Sequence, residues 1–176
     1  MITKERVKEE VLEWSKSILL VLAFFWVFTT FIAQPYMVDG PSMNPTLENA
    51  ERLIVNKFIY RIHPPQHGDI IVFEYPSDRS RQFIKRVIAV GGDTIEITEG
   101  MVFVNGKLLN EPYILAPSMR DYPMTTIPDG TVFVMGDNRN NSEDSRFTDV
   151  GFVPLSYIHG MAAFVYSPVS SFRVLR

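Results

Sequence analysis

The chain has 176 residues, is 46% hydrophobic, carries a formal net charge of -3 and contains no cysteine. That length provides for one folded domain plus whatever precedes it, and the mixed charge excludes the basic footprint of a nucleic-acid binder. Lack of cysteine removes disulfides without deciding the compartment.

The first element is an uncharged run from Ile18 to Ala33, preceded by Lys4, Arg6, Lys8 and Lys16. It is slightly short for a bilayer core of about 30 Å at about 1.5 Å per residue, so its flanks are expected at the two interfaces. The expected membrane anchor is 16–36, behind a short cytoplasmic stretch 1–15. A buried helix of a soluble protein and a cleaved secretory signal compete with this reading. Cleavage after Ala33 would put the bulky Phe31 three residues before the cut, which favours an uncleaved anchor. No Lys or Arg follows the run until Arg52, so the N-terminus is expected in the cytoplasm and residues 37–176 on the extracytoplasmic face of a cell membrane.

Immediately after the anchor, Asp39, Gly40, Pro41, Ser42, Met43, Asn44, Pro45, Thr46 and Leu47 form a stiff loop that exposes a serine. By itself this is also an ordinary juxtamembrane turn, since Gly, Pro, Ser and Asn are common turn residues. Short apolar runs then recur between turn signals at 52–57, 69–75, 82–90, 94–98, 101–105, 131–135 and 161–166, which predicts an all-β domain. Asn105-Gly106 and Glu99-Gly100 predict tight hairpin turns. Residues 110–130, with Pro112, Pro117, Pro123 and Pro128, read as an insertion or flap.

In the strand at 82–90, alternation puts Phe83, Lys85, Val87 and Ala89 on one face and Ile84, Arg86, Ile88 and Val90 on the other. Each face is apolar yet holds one cation, so at least one cation lies on a largely apolar face. Snorkelling at a strand end would explain this. A desolvated lysine would explain it too: lowering its pKa from about 10.4 to about 7.5 costs the charged form about 4 kcal/mol and yields a neutral amine able to take a serine proton.

After the strand at 131–135 comes Gly136, Asp137, Asn138, Arg139, Asn140, Asn141, Ser142, Glu143, Asp144, Ser145 and Arg146. A solvated loop and an ion-paired brace for a neighbouring group both fit. A calcium loop does not, because Arg139 stands where an oxygen ligand is needed and the required glycine is missing. No metal or cofactor is expected. His63, His67 and His159 are the only histidines, and no Gly-x-Ser-x-Gly elbow accompanies any serine, so a histidine triad is the weaker option.

In this order, behind an anchor, the segments around Ser42, Ile84-Lys85-Arg86-Val87-Ile88 with Gly92-Asp93, and 136–146 resemble the type I signal peptidases of the bacterial, Gram-positive-like form. These are membrane-bound serine/lysine endopeptidases. The resemblance implies a mostly antiparallel, coiled, barrel-like β domain. It implies Ser42 as nucleophile, Lys85 as general base, Ser142 as the hydroxyl orienting the amine, and Asp144, Arg146, Asp137 and Arg86 as supporting residues.

It further implies signal peptides of secretory preproteins as substrates, with small residues at the first and third positions before the cut, and work beside the lipid bilayer and the export translocon. Gly40 departs from relatives that carry a serine there as an oxyanion donor, which leaves the second donor unassigned. Val38, Gly40, Met43, Leu47, Phe83 and Ile84 are the expected substrate contacts. A membrane-tethered β-domain that binds exported chains without cutting them is the alternative.

Overall fold

A computed structural model describes residues 4–175, without the side chains of residues 4–7 and 9. Residues 1–3 of the expected cytoplasmic stretch, and the side chains of Lys4 and Arg6, therefore lie outside the described residues. Helix α1 runs Lys4–Phe31. Its segment Glu10–Phe31 has a mean hydropathy of 1.8, is long and apolar enough to cross a membrane, and is not covered by the rest of the protein. An apolar surface of that size left uncovered in water would be costly.

The helix ends earlier than the expected anchor. Residues 33–36 are strand, not membrane helix: β1 (Ala33–Met37) follows after Ile32 alone and is hydrogen-bonded to β2 (Arg52–Asn56). Pro35 is tolerated because β1 lies at a sheet edge. The remaining strands are β3 (Ile70–Tyr75), β4 (Asp78–Val90), β5 (Thr94–Thr98), β6 (Met101–Val104), β7 (Lys107–Leu108), β8 (Tyr122–Thr126), β9 (Thr131–Met135), β10 (Val153–Pro154), β11 (Ile158–Ser167) and β12 (Arg173–Val174). The expected all-β domain is thus observed. The Pro-rich segment differs in one respect, since it holds β8 at the edge of the smaller sheet.

All pairings are antiparallel. The large sheet has the order β1-β2-β11-β3-β4-β9-β10, with β12 also on β11, and the small one β7-β6-β5-β8. Asn105 and Gly106 have φ of 53° and 71°, and Glu99 and Gly100 have 52° and 78°, so both hairpins turn through the left-handed region as their sequences predict.

Strand β4 is the hinge of the architecture. Its second half, Arg86 to Val90, pairs with β3 only at its start and with β9 throughout, while residues 82–85 pair with β3 alone. A bulge between Val87 and Ala89 breaks the alternation. Ala89 therefore joins Ile88, Phe133 and Met135 in the cluster that meets Ile95, Ile97 and Val102 of the small sheet, while Val90 joins Val87 on the opposite side. The face assigned to Ala89 by simple alternation is corrected by that one extra residue.

Candidate active site

Strand β1 ends at Met37, and the chain turns through Gly40 at φ +89° into Pro41 and Ser42. A side chain is strained in that backbone region, so glycine suits the turn. Beyond the serine, Met43 and Leu47 are fully buried with Val38, Leu53 and Val55. Burying each such side chain is worth about 1.5–3 kcal/mol, which pins the loop from below. Met43 and Leu47, expected from the sequence to be substrate contacts, are instead core residues beneath the loop.

Opposite the loop, β4 presents Lys85 at 4% exposure. Its Nζ donates to Ser42 Oγ at 2.8 Å and to the Ile84 carbonyl at 3.0 Å. Burial pulls the ammonium down to about 8, against the opposing attraction of Asp144, Glu143 and Asp137. Arg86, next along the strand, is also buried at 3%. Both cations therefore leave water, and they meet different fates. Arg86 forms a two-point pair with Asp137 at 2.9 and 2.7 Å, whereas among the described residues no carboxylate lies within ion-pair distance of Lys85. A guanidinium keeps its proton in such a pair; an amine that meets a hydroxyl, a carbonyl and, at 5.1 Å, the Phe83 ring can lose it.

The loop 136–146 closes the back of the site. A Cβ at Gly136 would collide with Ser142 Oγ and the Ser42 carbonyl oxygen, so glycine alone allows the two loops to meet. The Asn138 N–H donates to the Ser42 carbonyl at 3.1 Å and its Nδ2 to the Pro41 carbonyl at 3.2 Å. Asp144 receives Arg146 at 2.8 Å on each oxygen and the Gly136 N–H at 3.0 Å. Asp137 also accepts from Thr46 Oγ1 of the serine loop. The brace expected from the sequence is present, but Arg139 pairs with Glu111 of the Pro-rich segment and not with an aspartate of its own loop.

The expected hydrogen bond from Ser142 to Lys85 is not made. Ser142 Oγ is buried without a partner among the described residues, packed against Gly136. A buried hydroxyl without a partner costs roughly 1–3 kcal/mol.

A cleft of about 420 Å³ opens at the dyad, lined by residues that include Val38, Ser42, Phe83, Ile84 and Lys85. Tyr36, Met37, Asp39, Leu53, Val72, Arg81, Gln82 and Glu143 complete its walls. Of the two from β1, Tyr36 fell within the expected anchor and Met37 just beyond it. The two long walls are open strand edges: β1 pairs only with β2, and residues 82–85 of β4 pair only with β3.

Among the described residues no histidine contacts Ser42 or Lys85, though His159 Nε2 lies 3.3 Å from Nε2 of Gln82 in the cleft wall. His63 Nδ1 contacts the Pro64 carbonyl, His67 Nδ1 contacts the Ile88 carbonyl, and His159 lies 3.7 Å from Glu74. His159→Ala should therefore keep cleavage activity within about twofold of the parent, as expected of a substitution outside the reacting groups. A rate assay on purified protein checks this, and loss of activity there would return histidine to the mechanism. No group of three or more His, Cys, Asp and Glu able to hold a metal occurs among the described residues.

With this geometry in view, comparisons with known proteins point one way. The family model "Signal peptidase, peptidase S26" matches residues 11–167. A probable signal peptidase I-1 from Synechocystis is 48% identical over 158 residues, covering 86% of this chain and 79% of that one. Signal peptidase I S of Bacillus subtilis is 37% identical over 177 residues, covering 94% of both. The crystal structure of a signal peptidase I from Enterococcus faecalis superposes with a TM-score of 0.51 at 31% identity, over 56% of this chain and 97% of that one.

Proposed function

The chain belongs to the signal peptidase family, peptidase S26, and we propose on that footing that Ser42 and Lys85 are the nucleophile and general base with which it cleaves signal peptides from exported preproteins. The observation that carries the dyad is the 2.8 Å contact between Lys85 Nζ and Ser42 Oγ, made by an amine at 4% exposure. In its neutral form Lys85 accepts the Ser42 proton as Oγ attacks the scissile carbonyl. The same proton then passes to the leaving amine, and Lys85-activated water releases the acyl-enzyme. The Ser42 N–H makes no hydrogen bond among the described residues and is available to the oxyanion. A binding domain without catalysis has no use for a buried lysine drawn toward neutrality, and that alternative is not favoured.

The substrate enters extended between the free edges of β1 and β4, adding backbone hydrogen bonds to either side. Val38, Phe83 and Ile84 meet its side chains. Helix α1 anchors the enzyme in the bilayer, with residues 1–15 cytoplasmic, the anchor ending near Phe31 and the peptidase domain outside, close to the translocon. Four cations before the apolar run and none until Arg52 support that orientation. Anchoring enzyme and substrate in one membrane raises their effective concentration.

Two experiments test this reading. The first is preprotein cleavage by Ser42→Ala and Lys85→Ala variants beside the parent. The second is the pH profile. Because burial holds Lys85 near 8, about one lysine in ten is neutral at pH 7 and nine in ten at pH 9. kcat/KM on a short peptide should therefore rise through an acid limb centred near pH 8. A limb near 6.5, the range of an unperturbed histidine, would reject lysine as the base.

A further inference from the structure

Three guanidinium groups are buried around the loop that follows β9: Arg86 at 3% exposure, Arg139 at 2% and Arg146 at 6%. Arg86 and Arg146 are matched by Asp137 and Asp144 of that loop. The match for Arg139 comes from 28 residues away, where both carboxylate oxygens of Glu111 receive its two terminal nitrogens, with side chains only 0% and 6% exposed.

The same Pro-rich segment reaches the other two arginines. The Tyr113 ring lies 4.0 Å from the Arg86 guanidinium, and its hydroxyl donates to Glu111 at 3.0 Å. Ser118 Oγ accepts from Arg146 at 2.9 Å, and the Pro117 carbonyl accepts from Asn140 at 3.0 Å. A segment that reads as a flap is thus a strap across the back of the catalytic loop.

We infer that Glu111 is a positioning residue of the Ser42–Lys85 site: its carboxylate engages Arg139 and so leaves Asp137 and Asp144 to Arg86, Arg146 and the lysine. The reason is charge conservation in a dry place. With Glu111 the three buried guanidinium groups face three carboxylates; without it they face two. A guanidinium cannot shed its proton, and a buried one without a partner is strongly unfavourable. Arg139 stands between the two aspartates in the chain and already donates to the Gly136 carbonyl at 3.1 Å, so those are the carboxylates left for it to turn to.

Lys85 would feel that change. It is attracted by Asp144, Glu143 and Asp137 from the loop, shares the cleft with Asp39 of the serine loop, and has Arg81 and Arg86 on its own strand; its partner across β3 is the uncharged Ile71. Diverting two of these carboxylates to Arg139 weakens the attraction that favours the ammonium form, so the amine loses its proton more readily.

This inference rests on the dyad reading, and its test separates the two. Full-length Glu111→Gln in detergent, assayed on a short peptide, should show the acid limb of kcat/KM moved to lower pH by roughly half a unit, with kcat reduced and KM within about twofold. Adding Arg139→Gln restores the balance and should return the limb to its parental position. Glu111→Asp, which keeps the charge, should hold the parental limb and full binding. Thermal unfolding of each variant is measured in parallel.

A Glu111→Gln protein that is less stable yet keeps the parental limb would overturn the inference, because the strap would then be packing alone. So would a double variant whose limb fails to return, or a Glu111→Asp limb that moves as far as that of Glu111→Gln. If Lys85→Ala still cleaves, the dyad itself fails; if Lys85→Ala is dead while the limb ignores Glu111, only the strap fails.

Discussion

Lys85→Ala and Ser42→Ala should each lower preprotein cleavage on the order of 10⁴-fold or more, and the double variant should be little worse than either single one. A nucleophile and its base act as one unit, so the first loss removes nearly everything the pair contributes. Nothing nearby can substitute for the amine. The three histidines are engaged with Pro64, Ile88 and Glu74, and Arg86 is held by Asp137. Lys85→Arg should fail equally, since a guanidinium cannot become neutral at working pH. Single-turnover cleavage with excess enzyme reads all four variants, and full activity in Ser42→Ala or Lys85→Ala would end the dyad assignment.

The same lysine should be a burden on folding. Its ordinary pKa of 10.5 falls to about 8 in the folded protein, a difference of about 3 kcal/mol against the charged form. Below pH 8 both folded and unfolded chains hold the proton, and the full penalty stands. Between 8 and 10.5 the unfolded chain alone holds it, so stability rises with pH; above 10.5 the penalty is gone. Lys85→Met removes the charge and keeps the stem, at the loss of hydrogen bonds to Ser42 and Ile84 worth about 1 kcal/mol.

The variant should therefore be inactive yet about 2 kcal/mol more stable at pH 7, a rise in Tm of roughly 4–8 °C. That advantage should vanish by pH 10.5, the ordinary lysine value. A Lys85→Met protein less stable than the parent at pH 7 would show that the amine is not paying for its burial.

Much of the fold was legible because alternation and turn chemistry are local. The strands at 52–57, 69–75 and 94–98 and both left-handed hairpins followed from neighbouring residues alone. Strand β1 was not legible, because Ala33-Gln34-Pro35-Tyr36 reads as the flank of an apolar run and its strand character comes from pairing with β2. The bulge after Val87 was equally invisible, since it depends on β9 lying alongside.

In the site, alternation gave a cation on an apolar face but could not say which one would stay charged. That depended on Asp137, 51 residues from Arg86, and on Ser42, 43 residues from Lys85. Met43 and Leu47 were apolar beside the proposed nucleophile, and only their packing separates core from cleft. Glu111 carried no local signal at all; a lone glutamate before Pro112 gains meaning from the arginine it meets.

The single residue between α1 and β1 gives the proposed anchor the stiffness of a ruler. Ile32 is held by a hydrogen bond from the Lys57 N–H at 2.8 Å, and five strand residues at about 3.3 Å each then carry the chain toward Ser42. On the proposed placement of α1 in a bilayer, with no slack in the join, Ser42 would stand at a set altitude above the lipid. On that placement, which peptide bond is cut would depend on how far a preprotein's own apolar segment lifts its chain, as well as on the side chains it offers.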